Sequence, residues 1–263
     1  MTFFITIIFF ILGLIIGSFL NVVIFRFNTG RSFGGRSGCM TCRKILCWYE
    51  LIPLFSFLGL KGRCLACKAK ISIQYPIVEF ISGLIFAGIF LKFQDIFYLD
   101  TFGFSISYAF YATMFSLLLV IAVYDFKHKT IPDSLSLIFG ILAFIGIFFF
   151  SNYLFYPHIP IVLELLSGLL LALPFALLWL ISKGTWMGLG DAKLALGLGW
   201  LLGFIGILSG AVVAFWSGAI VGLVLIVFSK KHGIKSEIPF APFLVLGVII
   251  AFLFELSLFP VGF

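Results

Sequence analysis

Two aspartates and four cysteines are the residues of this chain whose types and spacing could do chemistry. Asp125 stands in Val123-Tyr124-Asp125-Phe126-Lys127-His128-Lys129, and Asp191 in Gly188-Leu189-Gly190-Asp191-Ala192-Lys193-Leu194. Each lies where a long apolar run meets a polar loop. Two carboxyls brought into contact cannot both ionise easily and share one proton. One can then act as base toward a water while the other protonates a scissile carbonyl oxygen. That is peptide hydrolysis without a nucleophilic side chain or a metal. The competing reading is that both cap helices or pair with Lys127, Lys129 or Lys193. No G-x-S-x-G or H-E-x-x-H offers another hydrolase. His128, His158 and His232 fall in loops on both sides of the predicted spans and form no cluster.

The cysteines are paired as Cys39-Met40-Thr41-Cys42 and Cys64-Leu65-Ala66-Cys67. Two C-x-x-C turns at this separation present four thiolates with tetrahedral zinc spacing, and four protein ligands leave no open position, so such a zinc is structural. A reducing compartment disfavours the alternative of disulfides. A redox dithiol or unpaired thiols remain the other possibilities, and Cys47 is left over without an assigned role.

The elements that must position these residues are membrane helices. The chain is 63% hydrophobic and 10% charged, too few charges to cover the surface of a soluble domain. A span needs about 20 mostly apolar residues, and spans of this kind must be helical because no water satisfies the backbone. The short alternating segments of a barrel are absent. Apolar runs are read at residues 2–25, 76–93, 101–124, 134–150, 161–181, 191–206, 208–229 and 242–258, with a short Gly-rich turn between the sixth and seventh. The first run lacks a basic n-region and a cleavage site and is read as a retained span. The expected fold is all-α: a polytopic bundle of about eight transmembrane helices. Residues 1–25 form the first span, 26–75 a cytoplasmic zinc-binding loop, and 76–263 the remaining bundle. No convincing internal repeat is visible.

Placing the loop from Arg26 to Tyr75 inside puts every basic residue but Lys92 on the cytoplasmic side, with both termini outside. The net charge of +7 then faces anionic lipid and requires no nucleic acid. In this topology Asp125 and Asp191 lie at one depth, at the cytoplasmic surface, and Gly188 and Gly190 allow close approach to Asp191. Glu50, Asp95 and Asp100 read as solvated, Glu255 as interfacial and Asp133 as a helix N-cap.

The ordered motifs resemble the type IV prepilin peptidases, polytopic aspartic proteases of bacterial membranes. They begin with Gly17-Ser18-Phe19-Leu20-Asn21 and the paired C-x-x-C, followed by Trp48-Tyr49-Glu50-Leu51-Ile52-Pro53 and Tyr75-Pro76-Ile77-Val78-Glu79. Ile131-Pro132-Asp133, the two aspartate motifs and Glu237-Ile238-Pro239-Phe240-Ala241-Pro242-Phe243 complete the set. The resemblance runs over nearly the whole chain. Ala241 stands where the family's last loop has glycine, and residues 25–38 lack its short R-x-P run. It implies that Asp125 and Asp191 are the catalytic pair and that Cys39, Cys42, Cys64 and Cys67 bind zinc. It further implies cleavage after glycine at the leader boundary of a pilin, secretion-system pseudopilin or competence protein. Members with this cysteine loop then methylate the new N-terminus with S-adenosylmethionine, and Glu79 matches a position tied to that second activity. Without the resemblance, Glu79 reads as an acidic residue in the first turn of a span. A peptidase without methylation, an ion- or proton-coupled transporter and an inactive scaffold are the competing functions. A transporter calls for a carboxylate near the midplane, and only Glu164 comes close.

Overall fold

The computed structural model describes residues 2–30, 32, 34–185, 187–228, 238–256 and 258. Arg31, Lys230, Lys231, His232, Lys235 and Glu237 lie outside the described residues. The chain forms two compact units, Met1–Tyr98 and Leu99–Phe263.

The first unit is built on α1 (Thr2–Arg26) and α3 (Gln74–Leu99), with a short α2 (Phe55–Gly59) and a 3-10 turn (Trp48–Leu51) in the loop that joins them. Both long helices are apolar enough to cross a membrane. Where lipid is as apolar as leucine, association depends on close backbone approach at small residues. Gly13, Gly17 and Asn21 lie one turn apart along α1 and supply it. A Cβ on Gly13 would sit 2.6 Å from the Ser82 carbonyl oxygen, and one on Gly17 would sit 2.8 Å from the Glu79 Cα. Asn21 continues the seam by donating Nδ2–H to the Tyr75 carbonyl at 3.1 Å. Phe25 stacks on Tyr75, and Phe9 stacks on Phe90.

The second unit holds α4 (Thr101–His128), α5 (Asp133–Phe149), α6 (Val162–Ser182), α7 (Leu189–Phe228) and α8 (Ala241–Phe254). Helix α7 packs on α5, α6 and α8, while α4 packs on α5 and α8. Glycines again mark the crossings. A Cβ on Gly199 would meet the Ser167 carbonyl oxygen at 2.5 Å and the Gly168 Cα at 2.6 Å, while the Ser167 hydroxyl donates to the Gly199 carbonyl. Gly247 of α8 lies against the Gly210 carbonyl of α7. Phe252 is fully buried and packs on Tyr111 and Phe115. The outward faces are apolar too: Leu166, Leu169, Leu173, Leu177 and Leu180 form an exposed stripe along α6, suited to lipid.

Among the described residues, five helices are long and apolar enough to span a membrane, and α5 and α8 are shorter apolar helices. Helix α7 is interrupted at Gly203, whose φ of 70° and ψ of 175° only glycine adopts without strain. The eight expected spans are thus present as apolar segments, with the break three residues before the end expected for the sixth span.

Several local expectations need correction. Asp100 is not merely solvated: its Oδ1 accepts from the Phe102 and Gly103 amides and caps α4. Asp133 does not cap α5; Pro132 holds the cap position and Asp133 opens the helix. Between α5 and α6 the chain makes a two-stranded hairpin, β1 (Phe150–Ser151) with β2 (Leu154–Phe155). Its turn residues Asn152 and Tyr153 both have positive φ, the backbone that matches the twist of paired strands.

Candidate active site and metal centre

The position of Asp125 follows from how α4 ends. Lys129 turns left-handed at φ 55° and donates its amide to the Asp125 carbonyl at 2.7 Å, closing the last turn. Pro132 then disfavours helical backbone at Ile131, so 130–132 run extended before α5 starts. Ile131 packs over Gly190, where a Cβ would lie 3.0 Å from the Ile131 Cβ. The glycine before Asp191 therefore admits a side chain of this chain and ties the start of α7 to the α4–α5 connection. Asp191 sits in the first turn of α7 and donates its amide to the Gly188 carbonyl at 3.3 Å.

Both carboxyls are buried, Asp125 at 5% and Asp191 at 8% exposure, and they lie within electrostatic reach of each other. Asp125 Oδ2 accepts the Ala241 amide at 3.3 Å. Ala241 is the first residue of α8, so the positive end of that helix faces the Asp125 carboxylate. Asp191 Oδ1 is buried with no hydrogen-bond partner. Lys193 does not turn to Asp191; its ammonium pairs with Asp133 at 2.7 Å, at the protein surface. Such a pair of buried carboxyls, one faced by a helix terminus and one with an idle oxygen, can hold a single proton and pass it. The contribution of Ala241 was not legible in the sequence. The one signal is Pro242, which marks a helix start without revealing where its amides point.

The four cysteine sulfurs lie within 4.8 Å of one another. Cys39 Sγ and Cys67 Sγ are 3.7 Å apart, close to the ~3.8 Å edge of a tetrahedron with metal–sulfur bonds of about 2.3 Å. Each C-x-x-C is a tight turn of one design. Cys39 donates its amide to Lys44 and accepts from Arg43; Cys64 donates to Ala69 and accepts from Lys68. Arg43 and Lys68 are both left-handed, with φ of 57° and 61°. The two turns repeat in structure although Met40-Thr41 and Leu65-Ala66 share no residue. The Cys42 amide, then the Thr41 amide, lower the Cys39 thiol to about 6. The Ala69 amide, the strongest influence on Cys67, also acts downward, but burial and the three neighbouring sulfurs push that thiol up to about 11. Four thiolates cannot coexist here without a cation, and the cluster could hold a metal ion.

Glu50 is buried rather than solvated. Its Oε2 accepts the Cys47 amide at 2.8 Å, and Lys44 pairs with its Oε1 at 3.5 Å. The Cys47 amide and the Lys44 ammonium hold its carboxyl below the usual range against the opposing effect of burial. Glu79 is buried as well, with Ser18 beside it, and its Oε2 accepts the Leu54 amide at 2.9 Å. Glu164 lies in the first turn of α6, accepting from the Ile161 amide and contacting His158 Nε2. It is not a midplane carboxylate.

Comparison with known proteins finds relatives over most of the chain. Residues 11–93 match the bacterial peptidase A24 N-terminal domain, and residues 112–227 match the type IV leader peptidase family. A Myxococcus xanthus prepilin leader peptidase/N-methyltransferase is 32% identical over 87% of this chain and 65% of its own length. Its Bacillus subtilis namesake is 31% identical over 93% of this chain and 92% of its own, and a Pectobacterium carotovorum one 31% over 90% and 88%. No solved structure matches the chain. Matches this extensive, over both the cysteine loop and the aspartate-bearing helices, place the chain in the type IV leader peptidase family.

Proposed function

We propose that this protein is a membrane-embedded aspartic endopeptidase that removes the leader from prepilin-like proteins and methylates the new N-terminus. The observation that carries the reading is the burial of Asp125 and Asp191 within reach of each other at the ends of two apolar helices. With basic loops cytoplasmic and both termini outside, that end of the helices faces the cytoplasm, where a basic leader meets its apolar helix. The bond after a glycine is easily unwound for attack. Asp125, faced by the α8 amide, serves as the base that takes a proton from the attacking water. Asp191, with its unpartnered oxygen, holds the proton that goes to the scissile carbonyl oxygen. Collapse of the resulting diol returns a proton to the leaving amine.

Zinc is the ion best suited to four thiolates in tetrahedral array, and Cys39, Cys42, Cys64 and Cys67 would hold it in a closed, structural site. S-adenosylmethionine would supply the methyl group. Glu79 gives it no open carboxylate, since that group is buried and bound to the Leu54 amide. In this reading Glu79 serves methylation by holding the loop at Leu54.

The test is co-expression with a tagged prepilin-like substrate, comparing the unmodified protein with Asp125→Asn and Asp191→Asn on a gel. Leader loss in the unmodified protein alone is expected. Cleavage by both variants would refute the pair, and a substrate left intact by all three would favour a scaffold. Mass spectrometry of the product N-terminus tests methylation, which Glu79→Gln is expected to lower while cleavage persists.

A further inference from the structure

The loop of the first unit carries an apolar, aromatic surface that its own fold does not cover. Trp48 is 77% exposed, and Phe55 and Leu58, one turn apart on α2, are each 71% exposed. Tyr49 lies edge-on to Trp48 and is exposed too. In an aqueous loop such a patch is unfavourable, and patches of this kind mark interaction surfaces.

Two independent observations identify what covers it. The first is depth. The Leu54 amide, between Trp48 and Phe55, is bonded to Glu79 at 2.9 Å. Glu79 is five residues beyond Gln74, where α3 begins, or about 7.5 Å along the helix axis. Arg26 and the stacked Phe25–Tyr75 pair lie at the same ends of α1 and α3, as interfacial anchors do. The aromatic segment is thus tied below the helix ends, at the ~5–10 Å depth where interfacial helices lie. The second is charge. Directly after α2 an open depression is lined by Leu60, Lys61, Arg63, Leu65 and Lys68. It sets three cations around two leucines, the complement of a phosphate head on an acyl chain.

We propose that residues 48–68 form an interfacial anchor whose Trp48, Phe55 and Leu58 enter the boundary of the bilayer while Lys61, Arg63 and Lys68 bind an anionic phospholipid headgroup. The anchor holds the cysteine cluster down on the membrane. The inference rests on the membrane-spanning character of α1 and α3 and is independent of peptidase activity.

The experiment uses the full chain in nanodiscs of phosphatidylcholine, with or without phosphatidylglycerol, carrying acyl chains brominated at shallow or deep positions. Trp48 emission is the difference between the protein and its Trp48→Phe variant, so the other tryptophans stay in place. Shallow bromine is expected to remove about half of that emission and deep bromine much less. Phe55→Glu with Leu58→Glu should abolish the quenching, with metal content reporting that the loop still folds. Lys61→Gln, Arg63→Gln and Lys68→Gln together should erase the added quenching brought by phosphatidylglycerol. Trp48 emission indifferent to brominated lipid and open to aqueous acrylamide would overturn the anchor. So would shielding of Trp48 that requires an added prepilin leader peptide, which would make the surface a peptide-docking site instead.

Discussion

Lys193 reaches from α7 to Asp133 at the head of α5, 2.7 Å away, and leaves Asp191 two residues earlier in its own helix to face inward. Asp125, Asp133 and Asp191 are therefore unequal. Asp133 and Lys193 are exposed, and exposed pairs contribute at most about 1 kcal/mol. Asp133→Asn is expected to keep leader cleavage within about threefold of the parent. Asp125→Asn and Asp191→Asn should each lose about a thousandfold or more, the scale of removing a positioned acid–base group. Initial rates of leader removal in detergent would check this, and equal losses at all three positions would refute the ranking.

Asp191 keeps a buried oxygen without a partner, a feature that stability alone would not select. Replacing a buried carboxyl by an isosteric amide removes a group that resists burial. Asp191→Asn should unfold at the same temperature as the parent or a few degrees higher, while activity is lost. A fall in melting temperature of more than about 5 °C would mean that the carboxyl is structural.

The cysteine cluster predicts one metal ion per chain. Cys64→Ser, at the buried ligand, should lose that ion and open the loop to protease while the helices remain. Cys47→Ser should retain it, because Cys47 lies outside the cluster and its backbone bonds to Glu50 do not depend on the side chain. Elemental analysis of the purified proteins distinguishes these outcomes.

Much of this was readable from residue order because membrane helices are specified by local composition. A run of apolar residues settles helix and membrane together, which is why α1, α4 and α6 lie within a few residues of expectation. The paired C-x-x-C was equally local. The polar partners were not. The burial of Glu50 depends on the Cys47 amide and on Lys44, and the capture of Leu54 by Glu79 spans 25 residues. The amide that meets Asp125 comes from Ala241, 116 residues away. Apart from the Lys44 ammonium, these partners are backbone amides, which nearly every residue type carries, so residue identity leaves no mark of them.

Glu50 makes the loop sensitive to acid in a defined direction. Its folded carboxyl titrates below the ordinary value because the Cys47 amide and the Lys44 ammonium favour the charged form. Its contribution is therefore complete above the unfolded value of about 4.3 and is lost as pH falls through the lower folded value. Glu50→Gln should loosen the loop at pH 7, seen as faster amide exchange over residues 44–54. The difference from the parent should vanish only well below that unfolded value, once pH has passed the lowered folded value and both side chains are neutral. A difference that persists there would assign the effect to shape rather than charge.

The glycines of the second unit separate those that admit a neighbouring backbone from those that do not. At Gly199 a Cβ would stand 2.5 Å from the Ser167 carbonyl oxygen, and that carbonyl belongs to a helix that cannot yield like a side chain. At Gly218 a Cβ would find the Phe243 ring at 3.5 Å, an ordinary contact. Gly199→Ala must push α6 and α7 apart or strain both, and overpacking of this kind costs about 1–3 kcal/mol. It should also weaken the bond from the Ser167 hydroxyl to the Gly199 carbonyl. Gly218→Ala should be neutral or gain slightly from helix propensity. Thermal unfolding of the two variants in one detergent is the comparison, with Gly199→Ala expected to be the less stable. Equal melting temperatures would mean that the α6–α7 crossing does not depend on the missing side chain.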